Sequence, residues 1–168
     1  IELYNSSPEA VPLWNENGAW RLDGGVEFIF PANSVIPAGG RILIVAFHPN
    51  NPNDLDAFIR TYNINMDKTQ IFGPYSGSLS NKGERIALEK LLDVDPSDGS
   101  LAWAIIDEVI YFDQSPWTPN ADGTGLSLQR VSPNGSGNDP NNWQADSASP
   151  GEEGSLNTPI SDWMMYSQ

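Results

Sequence analysis

The sequence predicts an all-β sandwich or barrel interrupted by one short helix. Three observations carry that expectation. Short β-rich runs recur along the whole chain, each bounded by turn residues. The chain holds 15 Gly and 14 Pro, spread as punctuation, a density of breakers that a helical bundle does not tolerate. Only one segment carries the 3.6-residue period of an amphipathic helix. With 39% hydrophobic residues and six Trp in 168 residues, there is enough apolar side chain for one packed core, and general disorder is excluded.

The elements follow in order. Ile1-Glu2-Leu3-Tyr4-Asn5 alternates and stops at Ser6-Ser7-Pro8. Ala19-Trp20-Arg21-Leu22, the turn Asp23-Gly24-Gly25, and Val26-Glu27-Phe28-Ile29-Phe30 read as a hairpin. Ile36-Pro37-Ala38-Gly39-Gly40 then turns the chain into residues 41–47. Their apolar run has the length of a strand buried on both faces and falls far short of a membrane span. Leu55, Phe58, Ile59 and Tyr62 fall at i, i+3, i+4 and i+7, one stripe of a short helix. Asn53 or Asp54 is expected as its N-cap, with the Pro-rich stretch before it outside the helix, and the stripe is expected to lid one end of the core. Phe72-Gly73-Pro74-Tyr75 and a polar turn over residues 77–83 lead to the alternating run 84–91. An acidic loop over 93–99 separates it from residues 102–112, expected to be the longest strand, with Ile105, Val109 and Tyr111. Residues 126–131 alternate again, and Asn142-Trp143-Gln144-Ala145 makes a short final strand.

Charge restricts the partners. Eight Lys and Arg face 22 Asp and Glu, a net charge of -14. The basic residues are scattered and form no stripe, whereas phosphate backbones are bound by clustered Lys and Arg that release counterions. Nucleic acid and anionic membrane surfaces are therefore poor partners, and no membrane insertion is expected. The chain has no Cys, which excludes disulfides, thiolate nucleophiles and zinc held on sulfur.

The order of these motifs resembles the bacterial lamin-tail domain. The resemblance is carried by the opening Ile1-Glu2-Leu3-Tyr4-Asn5, by Trp20 with Asp23-Gly24-Gly25, and by Phe30-Pro31-Ala32 with Ile36-Pro37-Ala38-Gly39-Gly40. It continues through Leu79-Ser80-Asn81-Lys82-Gly83-Glu84, Asp107-Glu108-Val109-Ile110-Tyr111 and Pro116-Trp117. Ala121-Asp122-Gly123, Ser127-Leu128-Gln129-Arg130, Asn142-Trp143 and Ser149-Pro150-Gly151 close it. The resemblance covers residues 1–154 and implies an immunoglobulin-like β-sandwich, here with a helical insertion at about 48–70 and a long acidic loop. Residues 155–168, with Trp163, Met164 and Met165, are left as a linker or the start of a next module. The abrupt opening in a strand reads as a segment of a larger protein. What the resemblance implies is an attachment or interaction module without catalysis, in an exported bacterial protein, extracellular or at the cell surface.

Candidate sites remain. His48, the single His, stands at a strand end beside Pro49-Asn50, and no Gly-x-Ser-x-Gly elbow accompanies it, so no catalytic residue is expected. Asp93, Asp95 and Asp98 place carboxylates at alternating loop positions, a candidate calcium set, although the spacing departs from an EF-hand. The bland reading is a solvent-facing hairpin loop of turn-forming residues. Asn134-Gly135-Ser136-Gly137-Asn138-Asp139 is a second oxygen-rich segment with the same two readings. Trp20, Trp117 and Trp143 are expected to cap the core. Trp14, Trp103, Trp117 and Trp163 are the candidates for a sugar-stacking platform. Two functions therefore compete: an interaction or anchoring module with a protein partner, and a polysaccharide-binding module of a secreted enzyme. Two exposed, coplanar Trp on one face would favour the second.

Overall fold

The computed structural model describes residues 1–152. The 155–168 segment, including Trp163, lies outside them. Eight short strands come first: β1 (Glu2–Tyr4), β2 (Val11–Pro12), β3 (Trp14–Asn15), β4 (Gly18–Ala19), β5 (Arg21–Gly24), β6 (Val26–Ile29), β7 (Val35–Ile36) and β8 (Arg41–Ile44). The helix α1 (Pro52–Tyr62) interrupts them. Then follow β9 (Gln70–Phe72), β10 (Ser76–Gly77), β11 (Gly83–Val94), β12 (Leu101–Phe112), β13 (Leu126–Arg130) and β14 (Trp143–Ser147).

Two main sheets form the layers of a β-sandwich with a helical insertion. One runs β10-β6-β5-β11-β12 and the other β1-β8-β9, with β13-β14 a separate ribbon. The buried cluster draws on all three: Leu22, Val26, Ile86, Leu88 and Val109 from the first, Leu3, Ile42 and Ile44 from the second, Leu128 and Trp143 from the ribbon. Every pairing is antiparallel except β8 with β9, where Ile42 faces Gln70 and Ile44 faces Phe72. A parallel pair needs a crossover, and α1 lies within it.

The apolar run at 42–45 is buried throughout, as a central strand requires. Ile42 and Ile44 belong to the core cluster, whereas Leu43 is opposite Glu2 on the other face. There Glu2 is fully buried and pairs with Arg41 at 3.2 Å, and the Gly151 N–H donates to Glu2 Oε2 at 2.8 Å. This pair ties β1 and β8 to the last described residues. Gly24 shows why the hairpin at 23–25 needs glycine. Its φ is +125°, and a Cβ there would lie 2.0 Å from the Arg85 carbonyl oxygen across the sheet.

Two expectations for the helix are corrected. The N-cap is Asn51, not Asn53 or Asp54; its side chain accepts from the Asn53 N–H at 3.1 Å. Pro52 opens the helix because the first turn leaves its N–H groups without intrahelical partners, so nothing is lost where Pro has none. The stripe is also no lid. Leu55, Phe58, Ile59 and Tyr62 are half-buried, and none joins the core cluster. Phe58 instead meets Phe47 and Tyr62, with ring centroids at 5.4 and 5.1 Å. The acidic loop is shorter than expected, since Val94 pairs with Leu101 and leaves only 95–100 as the turn. The hairpin arms are equal, 12 residues each.

Candidate functional site

β12 is an edge strand of the five-stranded sheet. Its first half, Leu101-Ala102-Trp103-Ala104-Ile105-Ile106, contains no charge, Gly or Pro, the features that normally blunt a sheet edge. Large apolar side chains on it face solvent: Leu101 is 50% exposed, Ile105 55% and Ile106 47%. With Ile110 and Phe112, β12 holds half of the exposed large hydrophobic residues among those described, so the apolar surface is concentrated on one strand. The reason lies in the register. Leu88 faces Asp107 and Glu89 faces Ile105, so Ile106 is the unpaired residue of a bulge, and two adjacent Ile reach the surface.

The second half of β12 is guarded. The Ile110 N–H donates to Asn138 Oδ1 at 2.7 Å, and Asn138 Nδ2 donates to Glu108 Oε1 at 3.0 Å. Gly137 makes this fit possible, since a Cβ there would lie 2.1 Å from the Glu108 carbonyl oxygen. The loop is also held by Trp143 Nε1, which donates to the Gly137 carbonyl at 2.8 Å, and by Arg130, which donates to the Gly135 carbonyl at 2.7 Å. Thus 134–139, one of the two oxygen-rich candidates, serves as an edge cover over Glu108–Ile110 and leaves 101–106 open.

One sheet face beside this edge is ionic. Arg85 reaches Glu108 at 2.7 Å, Asp23 at 3.2 Å and Glu89 at 3.2 Å, while Arg21 reaches Glu89 at 2.8 Å and Asp23 at 3.3 Å. Hydrogen bonds from Arg85 and Asn138 hold the Glu108 carboxyl below its ordinary range. Ala87, opposite Asp23 and Glu108, is fully buried on this face. The Arg21 guanidinium lies 4.0 Å over the Trp103 ring.

Between β1 and the middle of β12 lies a cavity of about 650 Å³. Leu3, Leu13, Trp20, Ile36, Leu88 and Ile106 supply its apolar wall, and Arg130 and Asp107 its ionic pair. Trp20 and Arg130 are 7% and 5% exposed, yet Trp20 Nε1 and Arg130 Nε have no hydrogen-bond partner in the protein. Nothing in sequence spacing pointed to this cluster, because its residues come from seven separate stretches of the chain.

The remaining candidates are placed as follows. Asp93 sits on β11 opposite Ala102, and its Oδ1 accepts from the Val94 N–H. Asp95 Oδ1 accepts from the Ser97 hydroxyl and N–H, and Asp98 Oδ1 from the Ser100 N–H; these bonds hold both carboxyls below their ordinary range. Both Asp side chains shape the turn itself. Among the described residues no group of three or more His, Cys, Asp or Glu is arranged to hold a metal ion. His48 is an exposed loop residue. Trp20, Trp117 and Trp143 are buried in the core, with the rings of Trp117 and Trp143 6.1 Å apart. Of the platform candidates, Trp14 is 43% exposed, Trp103 is half-buried beneath Arg21 and Trp117 is buried. Two exposed Trp do not meet on one face among the described residues. No described helix is long and apolar enough to cross a membrane.

Comparison with family models, curated proteins and solved structures gives no match for this chain.

Proposed function

We propose that this chain is a non-catalytic interaction or anchoring module whose contact is the open edge of β12. The observation that carries the reading is the uncharged, solvent-facing run at 101–106, open beside a guarded 108–110. An open edge is completed by an added strand: main-chain hydrogen bonds give affinity and alternate side chains give specificity. The occupant is an extended segment of a partner protein, apolar in its middle and flanked by Lys or Arg. Charge selects it over a second copy. Antiparallel self-pairing about Trp103 and Ala104 would lay Asp107 and Glu108 opposite the other copy's Ser100 and Gly99, next to its Asp98, and acidic groups brought together in this way oppose that pairing. The lamin-tail resemblance supports the same reading, and with it an exported bacterial parent protein that holds the module outside the cell or at its surface.

The test is selection of a displayed library of extended peptides on the immobilised protein, repeated with Ile105→Lys. Ile105 is more than half exposed, so Lys there blocks an edge without emptying the core. Alternating β-branched peptides with basic ends, lost on Ile105→Lys, are expected. Peptides that bind Ile105→Lys equally well would overturn the placement. A dimer that this substitution converts to monomer would assign the edge to a second copy. A polysaccharide that binds with the edge blocked would favour the sugar-binding reading.

A further inference from the structure

Another cavity, of about 280 Å³, lies where residues 75–81, the end of β12 and the connection 113–122 meet over Leu128. None of the open run at 101–106 lines it, so strand addition does not use it. An engineered apolar cavity of roughly 150 Å³ already holds benzene, and small-molecule sites begin at about 300 Å³, so this one suits a compact occupant. Tyr75, Leu79, Tyr111, Ala121 and Leu128 give it an apolar lining. The Tyr111 hydroxyl donates to the Ser80 carbonyl at 2.7 Å, which fixes one aromatic ring there.

Charge decides what kind of body fits. The lining includes two acidic residues, Asp113 and Asp122, and no Lys or Arg. Neither is buried: Asp113 is half-buried and Asp122 exposed. Elsewhere Glu2 pairs with Arg41, Glu89 with Arg21 and Arg85, Asp107 with Arg130 and Glu108 with Arg85. The Asp113 and Asp122 carboxylates have no such partner among the described residues. Burial raises the Tyr75 phenol above its ordinary range, and burial, then Glu84 and Tyr75, raises that of Tyr111. Both phenols are therefore neutral, and the two carboxylates set the charge of the cavity. An anion is repelled there, and a neutral body leaves both carboxylates without a counter-charge. An ammonium group on an apolar body matches both the carboxylates and the lining, and aromatic rings attract cations as well.

We propose that this cavity binds a small organic cation, a protonated amine on a compact apolar body, with the ammonium at Asp113 and Asp122 and the body against Tyr75, Leu79 and Tyr111. The site is independent of whatever strand β12 takes.

Cyclohexylammonium is the probe, with cyclohexanol as its neutral counterpart and cyclohexanecarboxylate as its anionic one. Each is titrated into ¹⁵N-labelled protein in about 0.15 M NaCl, which screens charges beyond about 8 Å and so suppresses general attraction by the net charge of -14. The amides of Leu79, Asp113 and Asp122 are expected to shift saturably with the ammonium, with a dissociation constant in about the millimolar range for a ligand of this size. Cyclohexanol is expected to bind about 3–20-fold more weakly, the value of two ion pairs partly open to solvent, and the carboxylate not at all. Asp113→Asn combined with Asp122→Asn is expected to remove the preference for the ammonium over the alcohol. Nα-acetyl-lysine methylamide separates the sources: binding tighter than that of cyclohexylammonium supports a lysine side chain of a polypeptide, weaker binding a free amine. Ammonium shifts as large at the acidic turn 95–98 as at the cavity would overturn the site, as would equal binding of the three cyclohexyl probes. An ammonium preference that survives the double variant would overturn the proposed contact. If that variant does not fold, the three probes on the unaltered protein decide.

Discussion

Replacing Gly137 with Ala tests the guard on β12 directly. The new Cβ would start 2.1 Å from the Glu108 carbonyl oxygen, a backbone atom that cannot swing away. Real Cβ atoms keep at least 3.0 Å, so the loop has to retreat by about 0.9 Å. The same movement acts on the Ile110 N–H bond to Asn138 and the Trp143 Nε1 bond to Gly137, now 2.7 and 2.8 Å. Lengthened by that amount, both approach or pass about 3.6 Å, where a hydrogen bond is lost. Water can replace the partner of the exposed edge amide, so that loss is small. Trp143 is buried, and its stranded indole N–H accounts for most of an expected cost of about 2–3 kcal/mol. For a domain of this size that corresponds to a melting temperature about 5–10 °C lower. Urea denaturation measures the stability, and hydrogen exchange at the Ile110 amide and Trp143 indole reports the two bonds. The reasoning fails if the urea midpoint stays at the parent value and both protons remain protected. The guard also keeps other strands off this edge, so the variant is expected to show more concentration-dependent association, because the open edge then extends through Ile110.

Glu2→Gln breaks the buried pair with Arg41 and is expected to destabilise by about 3–5 kcal/mol in urea denaturation, as removing one partner of a buried ion pair does. A double-mutant cycle with Arg41→Met should show coupling, whereas strict additivity would mean that the two side chains act independently. Glu108 sets an acid limit. Its carboxyl lies below its ordinary value in the fold, so it stabilises at pH above the unfolded value of about 4.3 and loses that contribution as pH falls through the lower folded value. Glu108→Gln should therefore lie below the parent in stability at pH 7, with the gap narrowing as pH falls from the unfolded value through the lower folded one, and a pH-independent gap would refute the linkage. Calcium against EDTA is expected to leave the thermal midpoint unchanged, because Asp95 and Asp98 are engaged in the turn. Saturation at about a hundredfold excess would add about 2.7 kcal/mol if a site existed, and a rise abolished by Asp95→Asn would establish Asp93, Asp95 and Asp98 as ligands.

Local periodicity determined much of this protein without any structure. The longer strands, the 23–25 hairpin, the doubly buried run at 42–45 and the single helix follow from period and turn chemistry, which act between near neighbours, whereas the two-residue strands β2, β3, β4, β7 and β10 carry no such period. Burial of Trp20, Trp117 and Trp143 was legible for a similar reason: large apolar rings in a chain of short strands have few places to go. What the sequence could not show depends on residues far apart in it. Nothing in the run at 101–106 says whether another strand pairs with it; that is settled by sheet order, which ends at β12. The segment at 134–139 has turn chemistry that fits a metal loop or a solvent-facing turn, and only its contact with Glu108 and Ile110, 28 to 30 residues away, shows it as an edge cover. The ionic face and the Trp20–Arg130 cavity have no sequence signal at all. They arise because register brings Arg21, Asp23, Arg85, Glu89 and Glu108 onto one face, and because the layers meet beside β12 with two donors left over. Period specifies which way a side chain points, whereas the partner it meets is chosen by long-range packing.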